Sequence, residues 1–235
     1  MDINKQNNTL YRMLPLFPYK YGVSMKEIQL TEEGVYSYTK REDGEKTIQF
    51  MKRFIPAVSS KSILDGTGNV GGDTILFGLH FHTVHSIEFD HDNFKALEHN
   101  VNLYKFKHVH VHEGDTTKLF KEYPSDVLYL DPPWGGPGYK EKKELDLWLG
   151  SHRIDVFLRE SFLTPDACWR PQYIVLKLPF NYHWARLEEL KGIKSINTLR
   201  IRNYRIVILT ILPLLTPKGI KLKVNKTRRA KRLST

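Results

Sequence analysis

Asp131-Pro132-Pro133-Trp134-Gly135-Gly136-Pro137 follows Asp126-Val127-Leu128-Tyr129-Leu130, a short apolar run that reads as a buried strand. An acid at a strand end, two prolines, a tryptophan and two glycines make a stiff platform carrying one carboxylate and one large π-face. Each proline fixes φ and lacks an amide donor, so carbonyls in this segment stay open to accept from a ligand. The glycines let another molecule approach the main chain closely. Asp131 and the Pro132 carbonyl are suited to accept the hydrogens of an amine and turn its lone pair toward an electrophile.

A second motif, Ser62-Ile63-Leu64-Asp65-Gly66-Thr67-Gly68-Asn69-Val70-Gly71-Gly72-Asp73, ends a strand at Asp65 and enters a glycine-rich turn. The apolar stretch Thr74 to Leu79 then opens a helix, whose N-terminal amides face a ligand while the glycines let the turn press against a nucleoside. Thr83 to Glu88 reads as the next strand and ends in an acid 20 residues after Gly68, suited to both hydroxyls of a ribose. The glycine spacing departs from the pyrophosphate fingerprint, so a dinucleotide is not favoured.

The elements that position these residues alternate along the chain. Asp92 to Tyr104 carries Phe94, Leu97, Val101 and Tyr104 on one helical face. Lys107 to His112 reads as a strand closed by Glu113-Gly114-Asp115, Arg153 to Phe162 as a helix and Tyr173 to Leu178 as a strand. Ser195 to Arg202 and Tyr204 to Leu212 read as two long strands joined at Asn203. Alternation predicts a mostly parallel sheet with a closing antiparallel hairpin. Asp65, Glu88, Asp115 and Asp131 then lie along its carboxyl edge, where open α/β sheets bind ligands. Residues 1–57 stand outside the alternation: Pro15 and Pro18 interrupt the aromatic stretch from Tyr11 to Tyr21, Gly34 to Thr39 reads as a short loop or strand, and Gly44 to Ala57 as a helix.

The 235 residues, 40% hydrophobic, suffice for one sizeable domain. Cys168 is the only cysteine, which excludes an intrachain disulfide and suits a reducing compartment. The polar N-terminus lacks a signal-peptide core, and the longest apolar run, Ile206 to Leu215, contains Thr210 and Pro213 and is too short to span a bilayer. A soluble intracellular protein is expected. Eight of the basic residues fall within 217–235, with no acid among them, and subtracting them from the net charge of +10 leaves +2 for the rest. That tail suits RNA phosphates or nuclear import, or serves as a disordered solubilising end. The expected division is an N-terminal extension (1–57), a catalytic domain (58–216) and a basic tail (217–235).

The glycine turn with the acids ending the second and third strands resembles the binding site of class I S-adenosylmethionine-dependent methyltransferases. The acid-Pro-Pro-aromatic element resembles that of enzymes methylating exocyclic amines of adenine or guanine. The longer string from Pro132 to Tyr139, with Leu30 to Thr39 upstream and Leu178-Pro179-Phe180-Asn181 downstream, resembles the trimethylguanosine synthase family, and the likeness runs from about residue 10 to 212. The resemblance implies a Rossmann-like α/β fold with a seven-stranded, mostly parallel sheet. It implies methylation of the guanine N2 amine of a 7-methylguanosine RNA cap, by a monomer in nucleus or cytoplasm. S-adenosylmethionine would lie on Asp65, Gly66, Gly68, Glu88 and Asp115, with Ser37 and Thr39 closing over it. The guanine would stack on Trp134 near Asn181 and Tyr36, with Asp131 and Pro132 at the reacting amine. Members often carry Ser in place of Asp131, and many carry Arg, a phosphate contact, in place of Phe180. Lys177 or a tail residue would substitute for that arginine.

Two other readings share these residues. One is a base-amine methyltransferase acting on guanine or adenine in structural RNA or DNA, which needs neither the glycines after Trp134 nor the Tyr36 segment. The other is a non-catalytic RNA-binding module, against which the intact acids and glycines speak. His108, His110 and His112 alternate on one strand, but no cysteine or carboxylate completes a metal set with them, so they read as the polar face of an edge strand. His80, His82 and His85 read as surface residues.

Overall fold

In the computed structural model, which describes residues 17–37 and 39–213, the apolar runs become strands of one seven-stranded sheet. These are β1 (Ser62–Asp65), β2 (Thr83–Glu88), β3 (Val109–Glu113) and β4 (Val127–Leu130), then, beyond a small separate hairpin of β5 (Trp148–Leu149) and β6 (His152–Arg153), β7 (Tyr173–Pro179), β8 (Ile193–Ile201) and β9 (Tyr204–Ile211). The order across the sheet is β3-β2-β1-β4-β7-β9-β8. The first five are parallel, and β9 runs antiparallel to both β7 and β8. This is the expected mostly parallel sheet with a closing antiparallel hairpin. Residues 1–16 and the basic tail lie outside the described residues.

Both faces are covered, and the pleat decides which side chain goes where. Ile63, Val127, Tyr129 and Val175 join one apolar cluster with α2 (Arg41–Phe54), α3 (Gly72–Gly78) and α4 (His91–Leu103). Their neighbours Leu64, Leu128, Leu130, Ile174 and Leu176 join the other, with Phe157 and Leu158 of α6 (Ile154–Phe162). The short α5 (Thr116–Leu119) lies between β3 and β4 in the chain, and α7 (Ala185–Glu188) between β7 and β8.

The N-terminal segment is part of this packing. Phe17, Ile28, Ile48, Met51 and Ile55 belong to the same cluster as the sheet. Buried Asn100 of α4 fixes the approach: its Oδ1 accepts from the Gln29 amide at 2.8 Å, and its Nδ2 donates to the carbonyls of Gln29 and Val70, each at 2.8 Å. The loop or strand expected at Gly34 to Thr39 is instead a helix, α1 (Glu32–Ser37). Thr31 caps it by accepting from the Gly34 amide at 2.9 Å, and Glu32 and Glu33 complement the positive end of its first turn. The helix expected over 44–57 begins earlier, at Arg41, and stops at Phe54, because Ile55 precedes Pro56 and is forced into an extended conformation. Gly44 allows α2 to touch α3, since a Cβ there would lie 2.7 Å from Leu76 Cδ2. No described helix is long and apolar enough to cross a membrane.

Candidate active site

Because β3, β2, β1 and β4 are adjacent and parallel, their carboxyl ends form one edge that carries Asp115, Glu88, Asp65 and Asp131. The four acids do not face it alike. Asp65 is fully buried. Its Oδ1 accepts from the Thr67 amide at 3.1 Å and its Oδ2 from the Thr74 hydroxyl at 2.6 Å. Burial pushes its carboxyl up to about 7 against the Thr74 hydrogen bond. Asp65 thus pins the glycine turn to α3 from within. The glycines are also required by the packing of the turn itself. A Cβ on Gly66 would lie 2.6 Å from Leu130 Cδ2, and one on Gly68 2.5 Å from Ser86 Oγ. The close approach they permit includes one to the protein's own side chains.

Glu88 stands at the open end of β2. Its Oε2 accepts from the Asn69 amide at 2.6 Å and its Oε1 from the Asp90 amide at 2.8 Å. A carboxylate has about four lone-pair sites, so roughly two remain for a diol. Burial raises its pKa, opposed by these two amides. Asp115 caps α5 by accepting from the Thr117 amide at 2.9 Å, and from its hydroxyl at 2.7 Å. Although partial burial pulls the other way, Thr117 and the Lys118 ammonium hold its pKa below the ordinary value. The β5–β6 turn lies close by: a Cβ on Gly150 would be 3.8 Å from Asp115 Oδ1. The edge therefore holds two pre-oriented carboxylates with spare acceptor sites, an acceptor set that fits the hydroxyl and amine donors of a nucleoside.

Ser37, at the end of α1, accepts from Asn69 Nδ2 at 3.0 Å and so touches the glycine turn. Tyr36 lies on the same helix. Thr39 is buried and reaches further in, donating to Asp73 Oδ2 at 2.8 Å and accepting from Lys177 Nζ at 2.9 Å.

The Asp131 amide donates to Thr67 Oγ1 at 2.8 Å, tying the platform to the glycine turn, and its Oδ2 accepts from Lys177 Nζ at 2.6 Å. Burial pushes Asp131 up to about 6, against the Lys177 ammonium. Its Oδ1 and the Pro132 carbonyl accept no hydrogen bond among the described residues. Trp134 packs edge-on to Tyr139 at 5.1 Å between centroids and is tilted against Tyr204 at 6.1 Å. Its buried Nε1 has no hydrogen-bond partner among the described residues, yet lies near enough to help hold the Asp131 pKa down. Asn181 donates from its Nδ2 to the carbonyls of Tyr139 at 2.7 Å and Lys142 at 2.9 Å. It secures the far end of the platform, which Asn203 also holds through the Tyr139 hydroxyl at 2.7 Å.

Lys177 cannot substitute for the phosphate contact expected near Phe180, because it is 4% exposed and bound to Asp131. Phe180 instead carries the guanidinium groups of Arg200 and Arg205 at 4.4 and 5.4 Å from its ring. His85 is also not a plain surface residue. It stacks with His110, His112 and Tyr123, and its Nδ1 lies 3.1 Å from His112 Nε2. Burial and the neighbouring histidines hold His112 down to about 4. Among the described residues no group of three or more His, Cys, Asp or Glu is placed to hold a metal. A groove of about 670 Å³ along α2, lined by Glu42, Lys46, Phe50 and Leu199, contains none of the strand-end acids.

Sequence reasoning missed the buried network Asp131–Lys177–Thr39–Asp73, completed by the Tyr129 hydroxyl donating to Asp73 Oδ2 at 2.9 Å. Its signal was a lysine inside the otherwise apolar strand Tyr173–Pro179.

A sequence model of a family described as RNA cap guanine-N2 methyltransferase matches residues 60–211. An uncharacterised protein of Acanthamoeba polyphaga mimivirus is 28% identical over 149 residues, 62% of this chain and 57% of that protein. The trimethylguanosine synthase of Schizosaccharomyces pombe is 28% identical over 122 residues, 48% of this chain and 51% of that one. The chain thus spans little more than half the length of these relatives. Among solved structures, a T. thermophilus 16S rRNA N2 methyltransferase in complex with AdoMet and guanosine superposes with a TM-score of 0.55 at 14% identity. That match covers 72% of this chain and 42% of that one, a likeness of fold.

Proposed function

Because the chain belongs to the RNA cap guanine-N2 methyltransferase family, we propose that it transfers a methyl group from S-adenosylmethionine to the N2 amine of a 7-methylguanosine RNA cap, acting as a monomer. The observation that carries this reading is the platform of Asp131, Pro132 and Trp134, in which Asp131 Oδ1 and the Pro132 carbonyl accept no hydrogen bond among the described residues. When bound, S-adenosylmethionine supplies a methyl group already activated on its sulfonium, so no metal is required. Glu88 accepts the ribose hydroxyls and Asp115 the adenine amine. Ser37 and Thr39 close residues 1–57 over the body formed by 58–216, with Tyr36 toward the guanine.

An exocyclic amine conjugated to a purine is a poor nucleophile because its lone pair is delocalised. Asp131 and the Pro132 carbonyl accept its two hydrogens and aim the lone pair along the line of transfer. As the N–C bond forms and the C–S bond breaks, positive charge grows on the nitrogen, and the Asp131 carboxylate stabilises it. The nitrogen's proton then leaves to Asp131 or to solvent. With a pKa near 6, Asp131 is well matched to take it at neutral pH. The reading is tested by transfer of labelled methyl from S-adenosylmethionine to capped RNA, uncapped RNA and DNA in parallel. Label only in the capped RNA supports it; equal label in uncapped RNA or DNA favours a general base-amine methyltransferase.

The cap's 7-methyl group makes the guanine cationic. On the face of Trp134 a cation gains about 1–2 kcal/mol over a neutral base. The same charge acidifies the ring and eases proton loss. Preference for a 7-methylated over an unmethylated cap dinucleotide is therefore expected to reach about tenfold or more in kcat/KM. Trp134→Phe should keep part of that preference and Trp134→Leu lose most of it. Equal kcat/KM for the two dinucleotides would count against a cap site.

Deleting residues 217–235 removes eight positive charges. Methylation of a cap dinucleotide should survive, while binding to longer RNA weakens and its salt dependence flattens. An unchanged salt slope would show that the tail does not meet the RNA.

A further inference from the structure

Lys177 sits in the middle of β7, a strand buried from Ile174 to Pro179, and only 5% of its side chain is exposed. An ammonium in such a place costs several kcal/mol unless it is paired, and a strand covered on both faces ordinarily takes an apolar residue there. Its nitrogen lies 2.6 Å from Asp131 Oδ2 and 2.9 Å from Thr39 Oγ1, and over the rings of Tyr204 and Trp134 at 5.2 and 5.8 Å. We propose that Lys177 is a positioning residue that fixes the charge and direction of the Asp131 carboxylate, and through Thr39 makes that alignment depend on the seating of the N-terminal segment. This rests on the reading of Asp131 as the acceptor of the substrate amine.

The geometry supplies two reasons. With Oδ2 taken by Lys177, Oδ1 is the oxygen left to the amine, so one rotamer of the acid is selected. Thr39 is a second ligand of the same ammonium and is itself anchored to Asp73. The charge balance supplies a third. Asp131 faces Lys177 from β7, Asp73 from α3 and Tyr129 from its own strand, with Asp65 on β1, Tyr204 on β9 and Asp43 on α2 further out. Asp43 is neutralised by Arg202, whose Nε lies 2.6 Å from its Oδ2. Lys177 is thus the cation in contact with Asp131, in company with the like charge of Asp73.

The test compares Lys177→Met, Lys177→Arg and the neutral pair Lys177→Met/Asp131→Asn with the wild type. The first readout needs no substrate: the titration of the Asp131 carboxyl carbon by NMR in the intact protein. In Lys177→Met its midpoint should rise by about one pH unit or more, because the carboxylate has lost its counter-ion. Since the carboxylate is the working form, the acid limb of kcat should move to higher pH by the same amount, lowering kcat about twofold at pH 7 and about tenfold at pH 5. Affinity for S-adenosylmethionine should hold, and Lys177→Arg should retain most of the wild-type profile. The double variant, with no buried charge to compensate, should melt above Lys177→Met at neutral pH. An unmoved Asp131 midpoint would overturn the proposal, as would an equal loss of kcat at every pH with arginine no better than methionine. Should the wild type leave caps unmethylated, the proposed function fails by itself, and the carbon titration still decides whether Lys177 governs Asp131.

Discussion

Replacing Asp131 by alanine should lower kcat by about 10²-fold or more while leaving the dissociation constant of S-adenosylmethionine nearly unchanged. In the proposed mechanism the acid accepts the amine's hydrogens and balances charge in the transition state, while its tie to the glycine turn runs through its backbone amide, which alanine keeps. The structure adds a condition to this experiment. Asp131→Ala also strands the Lys177 ammonium, which among the described residues then keeps Thr39 as a hydrogen-bond partner beside the rings of Tyr204 and Trp134. Breaking one side of a buried pair costs about 3–5 kcal/mol of stability. Melting temperature must therefore be followed beside turnover, and the assay run well below it. Asp131→Asn and Asp131→Ser each retain an acceptor for the amine and should keep part of the activity. Near wild-type turnover in the alanine variant would remove Asp131 from the mechanism.

The second large effect belongs to Glu88. Glu88→Ala should weaken S-adenosylmethionine binding by about 2 kcal/mol, the scale of losing charge-assisted hydrogen bonds to two hydroxyls. Part of that loss acts through the turn, because the Asn69 amide and the Asp90 amide both lose their acceptor. Asn69 has a φ of +46°, a conformation that this hydrogen bond helps to hold. Titration calorimetry separates the contributions: Glu88→Gln keeps bulk and one acceptor, and should fall between wild type and alanine. A dissociation constant unchanged in Glu88→Ala would mean that the ribose lies elsewhere on the edge.

Much of this architecture was legible because its signals are local. Val127–Leu130 and Tyr173–Pro179 are apolar runs whose neighbours fall to opposite faces of the sheet, and an acid at the end of such a run lands on the ligand edge whatever the loops do. The site's interior was less legible because its partners are distant in sequence. Lys177 and Asp131 are 46 residues apart and Lys177 and Thr39 are 138 apart, so neither pairing leaves a spacing to read. Asp65 has the right type at the right place, yet both its oxygens accept hydrogen bonds inside the protein, and the Asn181 amide nitrogen likewise donates to two neighbouring carbonyls. A residue type announces what it can bond to but not whether a ligand or a neighbour will claim it. At α1, Gly34 and the β-formers Val35 and Tyr36 hid a helix that Thr31 and the two following acids start.

The central claim is that the chain methylates N2 of a 7-methylguanosine cap. The most direct measurement is mass analysis of a short 7-methylguanosine-capped RNA, with digestion to nucleosides, after incubation with the protein and S-adenosylmethionine. One or two added methyl groups are expected, all on the cap guanine at N2. Methyl groups found on an internal base, or a cap recovered unchanged while another nucleic acid is methylated, would contradict it.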